Sequence, residues 1–574
     1  MKKLVPFLKP YKKQLIIGPA FKLAEAIFEI MLPTVMAMLI DNGINKNDMS
    51  YIFKMSMVML LIATFGVIFA YICQYYASVA SQGVGTDIRN AMYEKIQTFS
   101  HKELDKFGTP SLINRITGDV NLIQNAVAML IRLVIRAPFL CIGGFVMAML
   151  IDLKLSLILM SAILIFSAFL FLIMKKTVPL YKGVQKKLDE VTVIIRENLV
   201  NIRVIRAFAG SGFEKQKFNK LNKSHADAAV YVGKIAALTN PCATLLLNTA
   251  AVLVIWFGGI RVNTGHLTQG EVIAYVNYLT QILNAMIIVA NLIILFSRAY
   301  ASANRVEEVL NTETSVLDGE GAEYDDKSNI AVEFRDVSFR YVNVNVLENI
   351  NLKINRGETI GIIGATGSGK STLVNLIPRF YDSSEGEIYV GGKNVKQYRL
   401  DELRNKVGIV QQKAVLFSGT VTDNLRMGKA DAQQSEIEKA CEIAQAAEFI
   451  PRLENGYETK ISQSGSNLSG GQRQRLTIAR VLVKKPQILI LDDSASALDY
   501  ATDAALRSAI KESTGDTTVI IVSQRINTVK NADRIIVLDD GFIVGEGVHE
   551  ELLENCDVYR EIAVSQEQAA KRRK

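Results

Sequence analysis

The sequence predicts a two-part fold class: an all-α membrane domain of six spanning helices, followed by an α/β P-loop nucleotide-binding domain. Three observations predict it. Apolar residues gather in long runs before about residue 300, charge spreads evenly after that point, and a complete GxxxxGK[ST] motif follows a short apolar strand pattern.

Bulk properties set the limits. At 574 residues the chain exceeds a single compact core. A 49% hydrophobic and 21% charged composition fits a soluble or a membrane protein, so the distribution decides. The net charge of +8 does not point to nucleic acid. Lys and Arg lie in the loops between apolar runs, and no basic stripe with interleaved aromatics appears. The five cysteines (Cys73, Cys141, Cys242, Cys441, Cys556) form no CxxC or Cys/His pattern, and the first three lie in apolar runs. The N-terminal lysines Lys2, Lys3, Lys9, Lys12 and Lys13 resemble a signal-peptide n-region, but no small-residue cleavage site follows. That segment reads as an interfacial elbow.

A helix needs about 20 mostly apolar residues to cross a bilayer. Six runs qualify: Leu15–Ile40, Ile52–Ala80, Ala126–Ile151, Leu155–Met174, Pro241–Val262 and Val272–Phe296. Links such as Asp152, Leu153 and Lys154 are short. Spans two and three, and four and five, are instead separated by long amphipathic stretches rich in Lys and Arg. Positive charge predicts a cytoplasmic place for those stretches, and therefore for both termini, in a multi-pass inner-membrane protein. Val191, Ile194, Ile195, Leu199, Ile202 and Ile205 keep helical spacing, so the helices are expected to run well past the bilayer. Two turns, Phe107–Pro110 and Gly210–Phe213, are candidates for touching a soluble domain.

Ionisable residues inside spans are functional candidates. Lys22, Glu25 and Glu29 share one helix face, and Arg132 and Arg136 stand four residues apart. They either neutralise one another or line a substrate cavity. The acidic pair favours cationic cargo, and Pro33 is expected to kink the first span.

The organisation predicted is a membrane domain over 1–310, an acidic Gly-containing linker over 311–329 and a nucleotide-binding domain over 330–574. In the P-loop, Gly364, Ala365, Thr366, Gly367, Ser368 and Gly369 let backbone N–H groups curl around phosphates. Lys370 reaches the outer phosphates, the Ser371 hydroxyl ligates Mg²⁺, and Thr372 continues into a helix. Ile488–Asp492 is a buried strand ending in a carboxylate suited to Mg²⁺.

Between these two motifs stands Leu468, Ser469, Gly470, Gly471 and Gln472, followed by a helical pattern. With this segment the chain resembles the ATP-binding cassette (ABC) exporters over its whole length. The resemblance implies one half-transporter, with ATP and Mg²⁺ as cofactors and the lipid bilayer and a second half-transporter subunit as partners. In that family the LSGGQ segment closes over ATP bound to the opposite cassette. By the same resemblance Tyr341 stacks on adenine, Gln412 senses Mg²⁺, Ser496–Asp499 crosses the cassette interface, and the two inner turns become coupling helices.

Two departures from the family stand out. Its catalytic glutamate is here Asp493, and its switch histidine is here Gln524. Aspartate is one methylene shorter, and misplacement of about 1 Å costs about 10²-fold. Glutamine carries neither a proton nor a positive charge near neutral pH. The expectation is a degenerate site that binds ATP and hydrolyses it slowly, paired with a different chain that borrows this chain's intact LSGGQ. A bacterial subgroup of heterodimeric exporters carries the same two substitutions. The alternatives are a homodimer in which Asp493 acts as a slow base, and an ATP-gated channel or regulator. A cytosolic ABC ATPase is excluded by the six spans. The implied cargo is an amphipathic small molecule, lipid or peptide, and multidrug export is the reading the resemblance favours.

Overall fold

A computed structural model describes all residues except 1–3, 322–323, 325–327, 342–343, 495–496, 514 and 572–574. The described residues form two compact units. One holds the chain up to Gln97 together with Thr109–Thr312, and the other holds Thr98–Gly108 together with Glu313 onward.

The first unit is helical. Among the described residues, six stretches are long and apolar enough to cross a membrane: Val5–Ile44, Met49–Gln97, Thr109–Ile151, Leu153–Val200, Ser211–Asn263 and Gln269–Asn311. Within the first two lie α1 (Lys12–Leu39) and α2 (Met49–Gln97), and α3 (His101–Phe107) belongs to the other unit. Next come α4 (Thr109–Asn114), α5 (Val120–Arg132), α6 (Arg136–Ile151), α7 (Leu153–Val200) and α8 (Ile202–Ala207), then α9 (Ser211–Ala237), α10 (Thr239–Asn263) and α11 (Gln269–Asn311). The 48 residues of α7 extend about 72 Å at helical rise, more than twice a hydrocarbon core of about 30 Å. The predicted extension past the bilayer is therefore present.

Local chemistry sets the ends of these helices. In the short link at Asp152, the carboxylate caps α7 by accepting from the N–H of Lys154 (2.8 Å) and Leu155 (2.9 Å). Thr268 and Glu271 form a reciprocal capping box at the start of α11.

The prolines of the first and third spans meet different backbone outcomes. α1 runs unbroken through Pro33. Proline removes the N–H that would bond the Glu29 carbonyl. Gln281 on α11 supplies a donor instead, its side-chain amide reaching that oxygen at 3.3 Å. The third span, expected to be continuous over Ala126–Ile151, breaks between Arg132 and Arg136. Pro138 follows that break and leaves the Val134 carbonyl without its helical donor.

The second unit is built on β1 (Ile330–Tyr341), β2 (Val344–Asn355), β3 (Thr359–Gly364), α12 (Lys370–Leu376), β4 (Glu385–Val390), β5 (Lys393–Asn394), α13 (Leu400–Lys406) and β6 (Val407–Val410). A helical segment follows, with β7 (Gly419–Thr420), α14 (Val421–Arg426), α15 (Gln434–Ile443), β8 (Lys460–Ile461) and α16 (Gly470–Val483). The chain closes with β9 (Ile488–Asp492), α17 (Tyr500–Ser513), β10 (Thr518–Val522), α18 (Ile526–Val529), β11 (Arg534–Asp539), β12 (Phe542–Gly547), α19 (His549–Asn555) and α20 (Asp557–Lys571).

The main sheet has the order β12-β11-β3-β10-β9-β6, parallel except for β12 at its edge. β9 and β10 are buried at every residue, as parallel strands covered on both faces require. A second, antiparallel sheet runs β2-β1-β4-β5. The segment expected as a linker is docked where it is described. Val316 is buried, Gly319 N–H donates to Tyr398 O at 3.0 Å, and Asp318 accepts from Leu400 N–H at 2.7 Å.

Candidate functional site

Sheet order assembles the site. β3, β10, β9 and β6 are neighbours and run parallel, so their C-terminal ends share one edge. That edge presents the P-loop after β3, Ser523 and Gln524 after β10, Asp492 and Asp493 at the end of β9, and Gln412 after β6. Ligands of open α/β sheets bind at this edge. Residues far apart in sequence meet there because the strands carrying them pair in register: Val522 lies opposite both Asp492 and Ile362.

The P-loop geometry depends on its glycines. Gly369 has φ of +97°, and a Cβ on Gly364 would stand 2.1 Å from the Leu538 carbonyl oxygen. Lys370 is buried, and its ammonium donates to the carbonyls of Gly364 (3.0 Å) and Ala365 (2.6 Å) and to the Ser368 hydroxyl (3.2 Å). Burial pushes the Lys370 ammonium below its usual range, against the pull of Asp492 and Asp493. Burial also pushes both carboxyls up, and the hydrogen bond from Ser371 partly opposes this at Asp492.

A cavity of about 330 Å³ is lined by Thr366, Gly367, Gly369, Lys370, Ser371, Thr372, Gln412, Asp492, Asp493 and Gln524, among others. The Ser371 hydroxyl donates to Asp492 Oδ1 at 3.0 Å. Gln412 Nε2 donates to Asp493 Oδ2 at 3.3 Å, and Thr366 Oγ1 donates to Gln524 Oε1 at 3.4 Å. Asp493 adopts φ of +45°, a left-handed backbone that is uncommon outside glycine. Ser371, Asp492 and Gln412 offer the hard oxygen donors that Mg²⁺ takes alongside water and phosphate, so the residues present fit that ion.

Other predicted residues lie outside the cavity lining. Tyr341 packs edge-on to Phe339 and Tyr381, and its hydroxyl is 3.4 Å from that of Thr372. Leu468 is buried in the core. Ser469 caps α16: its hydroxyl accepts from Gln472 N–H at 3.2 Å, and Gln472 Oε1 accepts from Ser469 N–H at 2.9 Å. Gly470 and Gly471 form the first turn of that helix, and among the described residues nothing beyond the helix's own backbone and chain neighbours lies within 4 Å of a Cβ built on Gly470. Asp499 accepts from Thr502 N–H at 2.8 Å, and this bond holds its carboxyl below the usual range. Ser496 lies outside the described residues.

One residue carried no signal in the sequence. Gln566, on α20, accepts from Ile526 N–H at 3.0 Å and donates to the Gln524 carbonyl at 2.6 Å. It clasps the backbone on both sides of Arg525, more than forty residues away in sequence. A glutamine on a polar helix has no pattern that announces such a contact.

Comparison with known proteins matches the chain to the family model 'ABC transporter transmembrane region' over residues 15–286 and to the family model 'ABC transporter' over residues 347–496. The chain is 39% identical to the ABC transporter ATP-binding protein YfiB of Bacillus subtilis, over 99% of this chain and 98% of that one. It is 30% identical to the ATP-dependent lipid A-core flippase of Escherichia coli, over 98% and 97% of the two chains. Its fold matches that of a bacterial Atm1-family ABC exporter with ATP bound, with a TM-score of 0.80, 24% identity, and coverage of 98% and 99%. A six-span helical unit, a P-loop sheet and full-length relatives together place this chain in the ABC transporter family, as an exporter half-transporter of the inner membrane.

Proposed function

We propose that this chain is the nucleotide-holding half of a heterodimeric exporter: its own P-loop site clasps ATP and splits it slowly, while its LSGGQ completes a competent site on a different partner chain. The observation that carries the reading is the pairing of Asp493 with Gln412 at 3.3 Å beside a switch position occupied by Gln524. A general base must reach the water it deprotonates. Asp493 is one methylene short of the family's glutamate, its oxygen is already engaged by an amide, and Gln524 has no titratable proton. Lys370 and the P-loop amides hold phosphates, Tyr341 holds the base, and Ser371, Asp492 and Gln412 hold Mg²⁺, whose charge supports the transferring phosphoryl group. The cargo is amphipathic, a small molecule, lipid or peptide, moved from a cytoplasmic face on which both termini lie.

The test is purification of the tagged chain from its native membrane, identification of what accompanies it, and ATPase assay of each preparation. A different co-purifying half with Glu and His at the two divergent positions, and turnover only in the pair, is the expected result. Pump-level turnover by the chain paired with itself, abolished by Asp493→Asn, overturns the reading.

A further inference from the structure

Five Asp, Glu, Lys or Arg residues lie well inside the six apolar runs: Lys22, Glu25 and Glu29 on α1, Arg132 at the end of α5 and Arg136 at the start of α6. Charges at such depth are costly and are expected to be paired. Four of the five are. Lys22 Nζ meets both oxygens of Glu25 at 2.7 and 2.6 Å. Arg136 meets Glu29 Oε2 at 2.7 Å. The carboxylates that made cationic cargo attractive are thus already neutralised within the chain.

Arg132 is the fifth. Its partner among the described residues is a neutral group, the Ser78 hydroxyl on α2 at 3.2 Å, and its Nε is buried with no partner at all. The Nε of Arg136, on the other side of the helix break, is likewise buried and unpartnered. Both carboxylates of α1 in this set are taken, Glu25 by Lys22 and Glu29 by Arg136. The cluster keeps a net positive charge of one and unused guanidinium donors.

We propose that Arg132, at the break in the third span, receives the oxyanionic head (phosphate, sulfate or carboxylate) of an amphiphilic cargo whose tail lies among the apolar residues of the spans. Guanidinium forks match these groups, often in bidentate fashion, and do so most strongly away from water. A compact inorganic anion pays full dehydration for this place, whereas an amphiphile brings apolar surface that offsets it. The inference rests on the exporter reading for the word cargo; the site itself does not.

The experiment uses the chain, paired as purified, in phosphatidylcholine nanodiscs without nucleotide. Radiolabelled dodecyl phosphate is titrated and its binding read by scintillation proximity. Saturable binding is expected, weakened about tenfold or more by Arg132→Gln and less by Arg132→Lys, which keeps the charge. Ser78→Asp gives Arg132 an internal counter-ion and is expected to weaken binding comparably while leaving the arginine in place. It stands as the test if Arg132→Gln fails to fold. Dodecyltrimethylammonium is expected not to displace the probe, and inorganic phosphate only at far higher concentration. Displacement by phosphatidylglycerol added to the disc identifies a lipid headgroup as one source of the same chemistry. Equal binding in wild type, Arg132→Gln and Ser78→Asp, or displacement by the cationic amphiphile as readily as by the anionic one, overturns the proposal. Intact Arg132-dependent binding without ATP-driven transport leaves this site standing and counts against export instead.

Discussion

At Asp493 the carboxyl is raised by burial, bonded to Gln412 and carried on a left-handed backbone with φ of +45°. Lengthening it by one methylene restores the reach of the family's glutamate. Asp493→Glu is therefore expected to raise ATP turnover at this site about tenfold, part of the roughly 10²-fold cost of a 1 Å misplacement, as measured by phosphate release. Lys370→Ala is expected to weaken ATP binding by about 10- to 100-fold, the worth of a charge-assisted contact, without a comparable loss of melting temperature. Gln566→Ala removes two hydrogen bonds from the backbone at 524 and 526. Faster amide exchange at 524–526 at nearly unchanged global stability is the expected outcome, and unchanged exchange would remove Gln566 from any positioning role. These residues differ in how far the sequence betrays them. The P-loop is legible because its glycines, lysine and hydroxyl act within one turn of chain. The pairs Gln412–Asp493 and Thr366–Gln524 are legible only as types, since 81 and 158 residues separate their members and sheet order alone joins them.

Among the elements, α3 shows most clearly what a linear reading sees and misses. The turn after it is marked by Gly108, which takes φ of +71°. Its packing is unmarked: His101 stacks on Phe380 with centroids 4.4 Å apart, and Tyr381 donates its hydroxyl to Asp105 at 2.7 Å. Burial lowers the His101 pKa from its ordinary 6.5, Arg404 lowers it further and Asp105 opposes them. A histidine with a depressed folded pKa prefers to pack neutral. Its contribution is therefore full above about 6.5 and is lost as pH falls below that value. Exchange protection over 101–107, corrected for intrinsic rates, is expected to fall between about pH 7 and pH 5.5 in the wild type and not in His101→Gln. The third span teaches a related lesson. Its run of apolar residues forecast one helix, whereas Pro138, with Arg132 and Arg136 on either side of residues 133–135, made two.

In the whole molecule, the six spans were legible from length and polarity because a bilayer admits few solutions, and the α/β unit from a motif whose strand-to-helix setting is fixed by phosphate chemistry. How two such halves share their work is written in neither. The proposed asymmetry makes a prediction a symmetric pump does not. Ser469 caps α16 in this chain but, in the proposed pair, serves the nucleotide on the partner's P-loop. Ser469→Ala in this chain alone is then expected to cut turnover of the pair at least tenfold, the cost of losing one donor to developing charge being about 10²–10³. The lost helix cap, worth about 1 kcal/mol, is checked separately by melting. Asp493→Asn in this same chain is expected to leave turnover within about twofold, because its own site contributes little. In a homodimer every competent site needs both residues, so the two substitutions would damage turnover alike. Equal losses would remove the asymmetric engine while leaving the ABC exporter assignment, which rests on fold and full-length relatives, untouched.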